Sequence, residues 1–183
     1  MNLRGLGTLL YKEVLRFYKV WLQTLLAPIV TALLYLLVFS HVLEEHVKIY
    51  PGIGYTAFLI PGLMMMSIIQ NAFSNSSSSL IQSKVSGNIV FVLLSPVSYL
   101  EFYLAFMLAS IVRGVVVGIG VGLVAVLFVD LPVHSVAMLL LFALLSSAVL
   151  GSLGIIAGIW ADKFDQIAGF QNFVVLQIGR AHV

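Results

Sequence analysis

Residues 135–160 read SVAMLLLFALLSSAVLGSLGIIAGIW, and from Ser135 to Trp160 there is no Asp, Glu, Lys or Arg. A helix needs ~20 mostly apolar residues to cross ~30 Å of hydrocarbon, so this stretch predicts a complete membrane span. Three more runs meet the same test: Trp21 to Val42, Tyr55 to Phe73, and Phe102 to Val129. The first is interrupted only by Gln23, Pro28 and a few hydroxyls, and the second contains Pro61 and Gly62. A fifth run begins near Ile167 and stops at Leu176. The whole composition agrees. Of 183 residues, 61% are hydrophobic and 9% charged, against roughly 45–50% and about 25% in soluble domains. So few charges cannot clothe a water-facing surface, which excludes a soluble enzyme and predicts an all-α polytopic membrane protein. The chain has no cysteine, hence no disulfide framework and no thiolate chemistry. No charge run suggests a nucleic-acid partner. The first apolar run is too long for a cleaved signal peptide and lacks a small-residue cleavage site.

The polar connections assign the two sides. With the N-terminus cytoplasmic, the inner segments hold Arg4, Lys12, Arg16, Lys19, Lys84 and Lys163. The outer ones, near residues 43–54 and 130–134, hold only Lys48. The positive-inside rule therefore predicts that residues 1–20, 79–99 and 161–166 are cytoplasmic.

Two segments fail to span. Along Leu6 to Val20, Lys12, Arg16 and Lys19 share one helical face, while Leu10, Val14, Phe17 and Trp21 fall opposite. This pattern fits an amphipathic helix lying in the membrane interface, or a basic flank that only orients the first span. The second segment, Lys84 to Tyr99, reads KVSGNIVFVLLSPVSY. Its apolar core, Ile89 to Leu94, is too short to cross. Extending it to Leu108 would carry Pro96 and Glu101 into hydrocarbon, where a central carboxylate costs ~2.5–3.5 kcal/mol. It reads instead as a short cytoplasmic helix ended by Ser95-Pro96. Its apolar residues either dip into lipid headgroups or dock on a protein partner.

Other features carry open readings. No G-x-x-x-x-G-K-[ST] loop exists for phosphate. His41, Glu44, Glu45 and His46 miss zinc-ligand spacing by one residue and read as a solvated outer loop. The sequon Asn75-Ser76-Ser77 falls at the inner end of the second span and reads as incidental. Gly114, Gly118 and Gly122, like Gly154 and Gly158, form small-residue faces for close helix packing, within the chain or between two copies. Arg113 lies deep in the third span. It either snorkels or pairs structurally, or it serves a transport path or an anionic group.

Taken in order, these segments resemble the permease subunits of ABC-2-type exporters. The resemblance runs from Tyr11 to about Leu176. It rests on Tyr11-Lys12-Glu13, Arg16-Phe17, Trp21-Leu22-Gln23-Thr24-Leu25, Phe58-Leu59-Ile60-Pro61-Gly62-Leu63-Met64-Met65 and Asn71-Ala72-Phe73. Leu93-Leu94-Ser95-Pro96-Val97, Val112-Arg113-Gly114, Pro132-Val133-His134-Ser135 and Lys163-Phe164-Asp165 continue the series. The resemblance implies a multi-pass bacterial inner-membrane permease that pairs with a second copy and with separate ABC ATPase subunits carrying the ATP. It implies no cofactor on this chain and no enzymatic activity of its own. Under it, Lys12, Arg16 and Lys19 mark the interface helix, and Ile89, Phe91, Val92, Leu94 and Pro96 mark the helix that couples to the ATPase. The substrate does not follow. A small channel or a secondary carrier is the rival reading, and an intramembrane enzyme is a weaker one for want of facing His or carboxylate pairs. Full-length relatives have six spans. Residues 1–177 are therefore expected to be an incomplete transmembrane domain, with four complete spans and the start of a fifth. Residues 178–183 (Ile-Gly-Arg-Ala-His-Val) are expected to be a non-native tail, because they would carry Arg180 and His182 into hydrocarbon. Their codons can also spell a sequencing-library adapter.

Overall fold

The computed structural model describes residues 2–42, 54–128 and 135–177. All secondary structure among them is helical: α1 (Leu3–Lys19), α2 (Trp21–Val42), α3 (Tyr55–Val85), α4 (Ile89–Leu93), α5 (Tyr99–Ala125), α6 (Val136–Trp160) and α7 (Phe164–Phe170). A single π-helical stretch, Gln171–Val175, continues α7. Four helices are long and apolar enough to cross a membrane: α2, α3, α5 and α6. The predicted all-α polytopic fold is the one observed. Lys48, Glu44, Glu45, His46, Pro132, Val133, His134 and residues 178–183 lie outside the described residues.

The last of these spans begins where its chemistry directs. Ser135 Oγ accepts from Met138 N–H at 3.3 Å, capping α6. At the other end, the final turn of α6 has no basic residue of its own. Lys84 of α3 supplies the charge, its Nζ donating to the carbonyls of Ile159 and Ala161, the latter at 2.9 Å. The third span starts at Tyr99 rather than Phe102. Ser98 and Glu101 form a capping box there, which places the carboxylate in the first turn.

The second span differs most from expectation. Its apolar run ends near Phe73, yet α3 continues to Val85 over 31 residues, about 46 Å at 1.5 Å per residue. The polar continuation is helical because most of its hydroxyls and its amide find partners inside the bundle, the buried Ser79 hydroxyl being the exception among the described residues. Ser77 donates back to the Phe73 carbonyl at 2.9 Å, and Asn75 and Ser76 both bond Ser110 of α5. Asn75, Ser76 and Ser77 are fully buried, so this sequon is no accessible glycosylation acceptor.

The central helix of the bundle is α3, which packs against both α5 and α6. The glycine faces explain the close approach. A Cβ on Gly118 would lie 2.6 Å from Ile68, and one on Gly122 would lie 2.9 Å from Met64. Gly154 of α6 faces the backbone of Phe73, and Gly158 faces Leu80 and Ser77. These small-residue faces thus pack within the chain. Apolar clusters fill the rest: Leu36, Leu59, Ile60 and Ala125 at one end, and Leu9, Leu80, Phe106 and Ile155 toward the other. Phe73 and Phe170 stack at 5.5 Å between centroids. Large side chains such as Leu34, Val38, Leu141 and Phe142 remain exposed on α2 and α6, as expected of surfaces solvated by lipid.

The first helix is rotated from its sequence reading. Leu9, Glu13 and Phe17 are its buried residues, one turn apart along a single stripe. Val14 and Leu10 are half-buried at its edge, and Trp21 belongs to α2. A carboxylate can occupy the buried stripe because cations on both sides neutralise it.

Candidate functional site

Two places collect chemistry: a polar cavity beside α3, and the turn between α3 and α5.

The cavity follows from the period of α3. Ser67, Gln70, Asn71, Ser74, Ser78 and Gln82 recur every three or four residues and line one helical face. Across from them stands the α2 stripe of Thr24, Ala27, Pro28, Thr31 and Tyr35. The space between is about 870 Å³. Arg16 of α1, Arg113 of α5 and Gln171 also line it. No Asp or Glu does so among the described residues.

The two arginines are held differently. Arg16 Nη2 donates to the Asn75 carbonyl at 2.7 Å and to Asn75 Oδ1 at 3.2 Å. Its Nε lies 3.4 Å from Glu13 Oε2, while Lys12 Nζ lies 3.4 Å from Glu13 Oε1. Of the three cations assigned to the interface helix, Lys12 and Lys19 are therefore exposed on α1 while Arg16 turns inward to α3. Arg113 has no carboxylate beside it among the described residues. Its Nη2 donates to Asn71 Oδ1 at 3.3 Å, and its guanidinium stands 5.9 Å from the centroid of Phe17. Glu13 and Gln70 were missed in the sequence. The signals were present, since Glu13 precedes Arg16 by three residues and Gln70 belongs to the polar period of α3.

The turn is built differently. Gly87 takes φ +73°, a left-handed conformation that ends α3 at little steric cost. After it, α4 lasts five residues and stops where Ser95 Oγ bonds the Val92 carbonyl at 2.6 Å. Ile89 and Val92 face inward and pack on Leu9, Leu80 and Phe106. Phe91, Leu93 and Leu94 face outward at 74%, 73% and 78% exposure, with Val90 and Pro96 also exposed. The five residues assigned to coupling are thus divided between a buttress, Ile89 and Val92, and a protruding apolar knob containing Phe91, Leu94 and Pro96. Leu93 and Val90 join the knob. The buttress is tied to α1 and α5 at one carboxylate. Glu101 accepts from the backbone N–H of Asn2 and from that of Ser98, the latter at 2.9 Å. Asn2 Nδ2 donates to the Pro96 carbonyl at 3.3 Å.

A polar cavity between spanning helices and an apolar knob on a tethered turn are features a transport protein can use. The model of the ABC-2 type transporter family matches residues 4–178. The chain belongs to the ABC-2 type transporter family. It is 33% identical over 164 residues to the inner membrane transport permease YadH of Escherichia coli (strain K12). The same identity holds for the proteins of that name from Escherichia coli O157:H7 and Shigella flexneri. The match covers 90% of this chain and 64% of each relative, so the chain spans under two thirds of their length. No solved structure matches it. Both places described above fall inside the family match.

Proposed function

We propose that this chain is the membrane-spanning permease of an ATP-driven exporter of the bacterial inner membrane, working with a separate ATPase subunit that carries the ATP. The observation that supports this most is the knob of Phe91, Leu93 and Leu94. Three large apolar side chains held outward on a capped turn gain little in water, and burying each against a partner contributes roughly 1.5–3 kcal/mol. The turn is also positioned to transmit force. Ile89 and Val92 rest on the core, and Glu101 links the turn to α1 and to the first turn of α5. Closure of an ATPase on the knob would bias the spans between two arrangements, with the cavity beside α3 as the path. Under this reading α1 lies at the cytoplasmic face, with Lys12 and Lys19 toward lipid headgroups. A second copy of the chain completes the path.

Replacing both Phe91 and Leu94 with aspartate is expected to abolish copurification of the ATPase while leaving membrane insertion intact, because neither side chain contributes to the core. A channel or secondary carrier would need no ATPase. Unchanged copurification with the double variant would count decisively against docking at this turn.

A further inference from the structure

The cavity beside α3 carries a pattern of donors without matching acceptors. Arg113 Nε and Gln70 Nε2 are both buried and have no hydrogen-bond partner among the described residues, although both residues line the cavity. Buried donors are almost always satisfied. The charge is unbalanced in the same sense. Glu13 offsets Arg16, but Arg113 has only an amide oxygen and an aromatic face beside it. No Asp or Glu among the described residues lines the space, and Ala27 and Pro28 of α2 form part of the opposite wall.

We propose that this cavity is a binding site for an oxyanion, phosphate above all, held by Arg113 and Gln70. A phosphate oxygen can accept from a guanidinium N–H or from an amide N–H, and its charge compensates a guanidinium that has no carboxylate beside it among the described residues. The about 870 Å³ available exceeds what a lone phosphate fills, and Ala27, Pro28 and Ala32 of the otherwise polar α2 wall offer apolar contact to a hydrocarbon portion attached to it. The preferred ligand is therefore a phosphate-bearing amphiphile. This inference rests on the permease reading for its biological role, but its test contains no ATPase, so binding can fail or hold independently of docking at Phe91 and Leu94.

The test is native mass spectrometry of the chain in dodecyl maltoside. The probes are dihexanoyl phosphatidic acid, dihexanoyl phosphatidylcholine and inorganic phosphate. Phosphatidic acid is expected to bind at least tenfold more tightly than phosphatidylcholine. Arg113→Gln is expected to weaken it tenfold or more, Arg113→Lys by less, and Gln70→Leu several-fold. Arg4→Gln, an exposed cation away from the cavity, is expected to leave it unchanged. Binding of phosphatidic acid without inorganic phosphate assigns the site to an amphiphile, and comparable binding of both assigns it to the free anion. Should Arg113→Gln fail to fold, Gln70→Leu decides alone. Equal affinity for phosphatidic acid and phosphatidylcholine, or an affinity untouched by Gln70→Leu or by a folded Arg113→Gln, overturns the proposal.

Discussion

Arg16→Met is expected to destabilise the bundle by about 3–5 kcal/mol, the usual cost of leaving one member of a buried ion pair without its partner. Glu13 has no exposure to solvent. Its neutralising neighbours are Arg16, part-buried, and Lys12, which reaches in from the surface. Methionine keeps the apolar stem of Arg16 but removes the charge, together with the bonds to Asn75 that fasten α1 to α3. Part of the loss should be recovered by adding Glu13→Gln, since the buried group then carries no charge. Thermal unfolding in detergent micelles measures both. The single variant should melt well below the parent, and the double variant should melt above the single. An unchanged midpoint for Arg16→Met would mean that Glu13 is solvated or satisfied by Lys12 alone.

Gly154→Leu is expected to prevent assembly of the bundle, and Gly154→Ala to cost about 1–3 kcal/mol, the range for overpacking a tight core. A Cβ at Gly154 would press on the Phe73 carbonyl and lie 3.2 Å from its carbon. The obstacle is backbone, so no rotamer change relieves it and α6 must move away from α3. That shift would also loosen Gly158 against Leu80 and draw the α6 terminus from Lys84. Gly7 is the contrasting case. Nothing lies within 4 Å of a Cβ there, and alanine in a helix interior is favoured over glycine by roughly 0.5–1 kcal/mol. Gly7→Ala should therefore stabilise slightly. Size-exclusion profiles and melting midpoints of the three variants provide the comparison. A monodisperse, parent-like Gly154→Leu would contradict the packing of α6 on α3.

Spanning segments were legible because hydrocarbon imposes one strong rule, and Ser135 even marked the start of α6 to the residue. The same rule misplaced the end of α3. A search for apolarity stops at Phe73, whereas the serine-rich continuation is apolar in no sense and is helical because Ser110 of α5 and the carbonyls of α3 itself take up most of its polar groups. Gly154 and Gly158 announced close packing in the sequence, but only three-dimensional placement shows that their partner is α3 of the same chain. The face of α1 was misjudged for a related reason. Placing Lys12, Arg16 and Lys19 on the polar face centres it on Lys12, whereas ion pairing lets Glu13 occupy the buried stripe. At α4, period alone could not separate the buttress from the knob, since in so short a helix Ile89 and Val92 differ from Phe91 and Leu94 only in what lies behind them.

Coupling to ATP requires the knob to face the cytoplasm and to be covered by an ATPase. A single cysteine at Phe91, introduced into this cysteine-free chain, tests both with a membrane-impermeant maleimide. The predicted result is no labelling in intact cells, rapid labelling in inverted membrane vesicles, and protection in those vesicles when the ATPase is present. Labelling from outside intact cells would contradict the orientation, and labelling in vesicles that the ATPase leaves unchanged would contradict the docking.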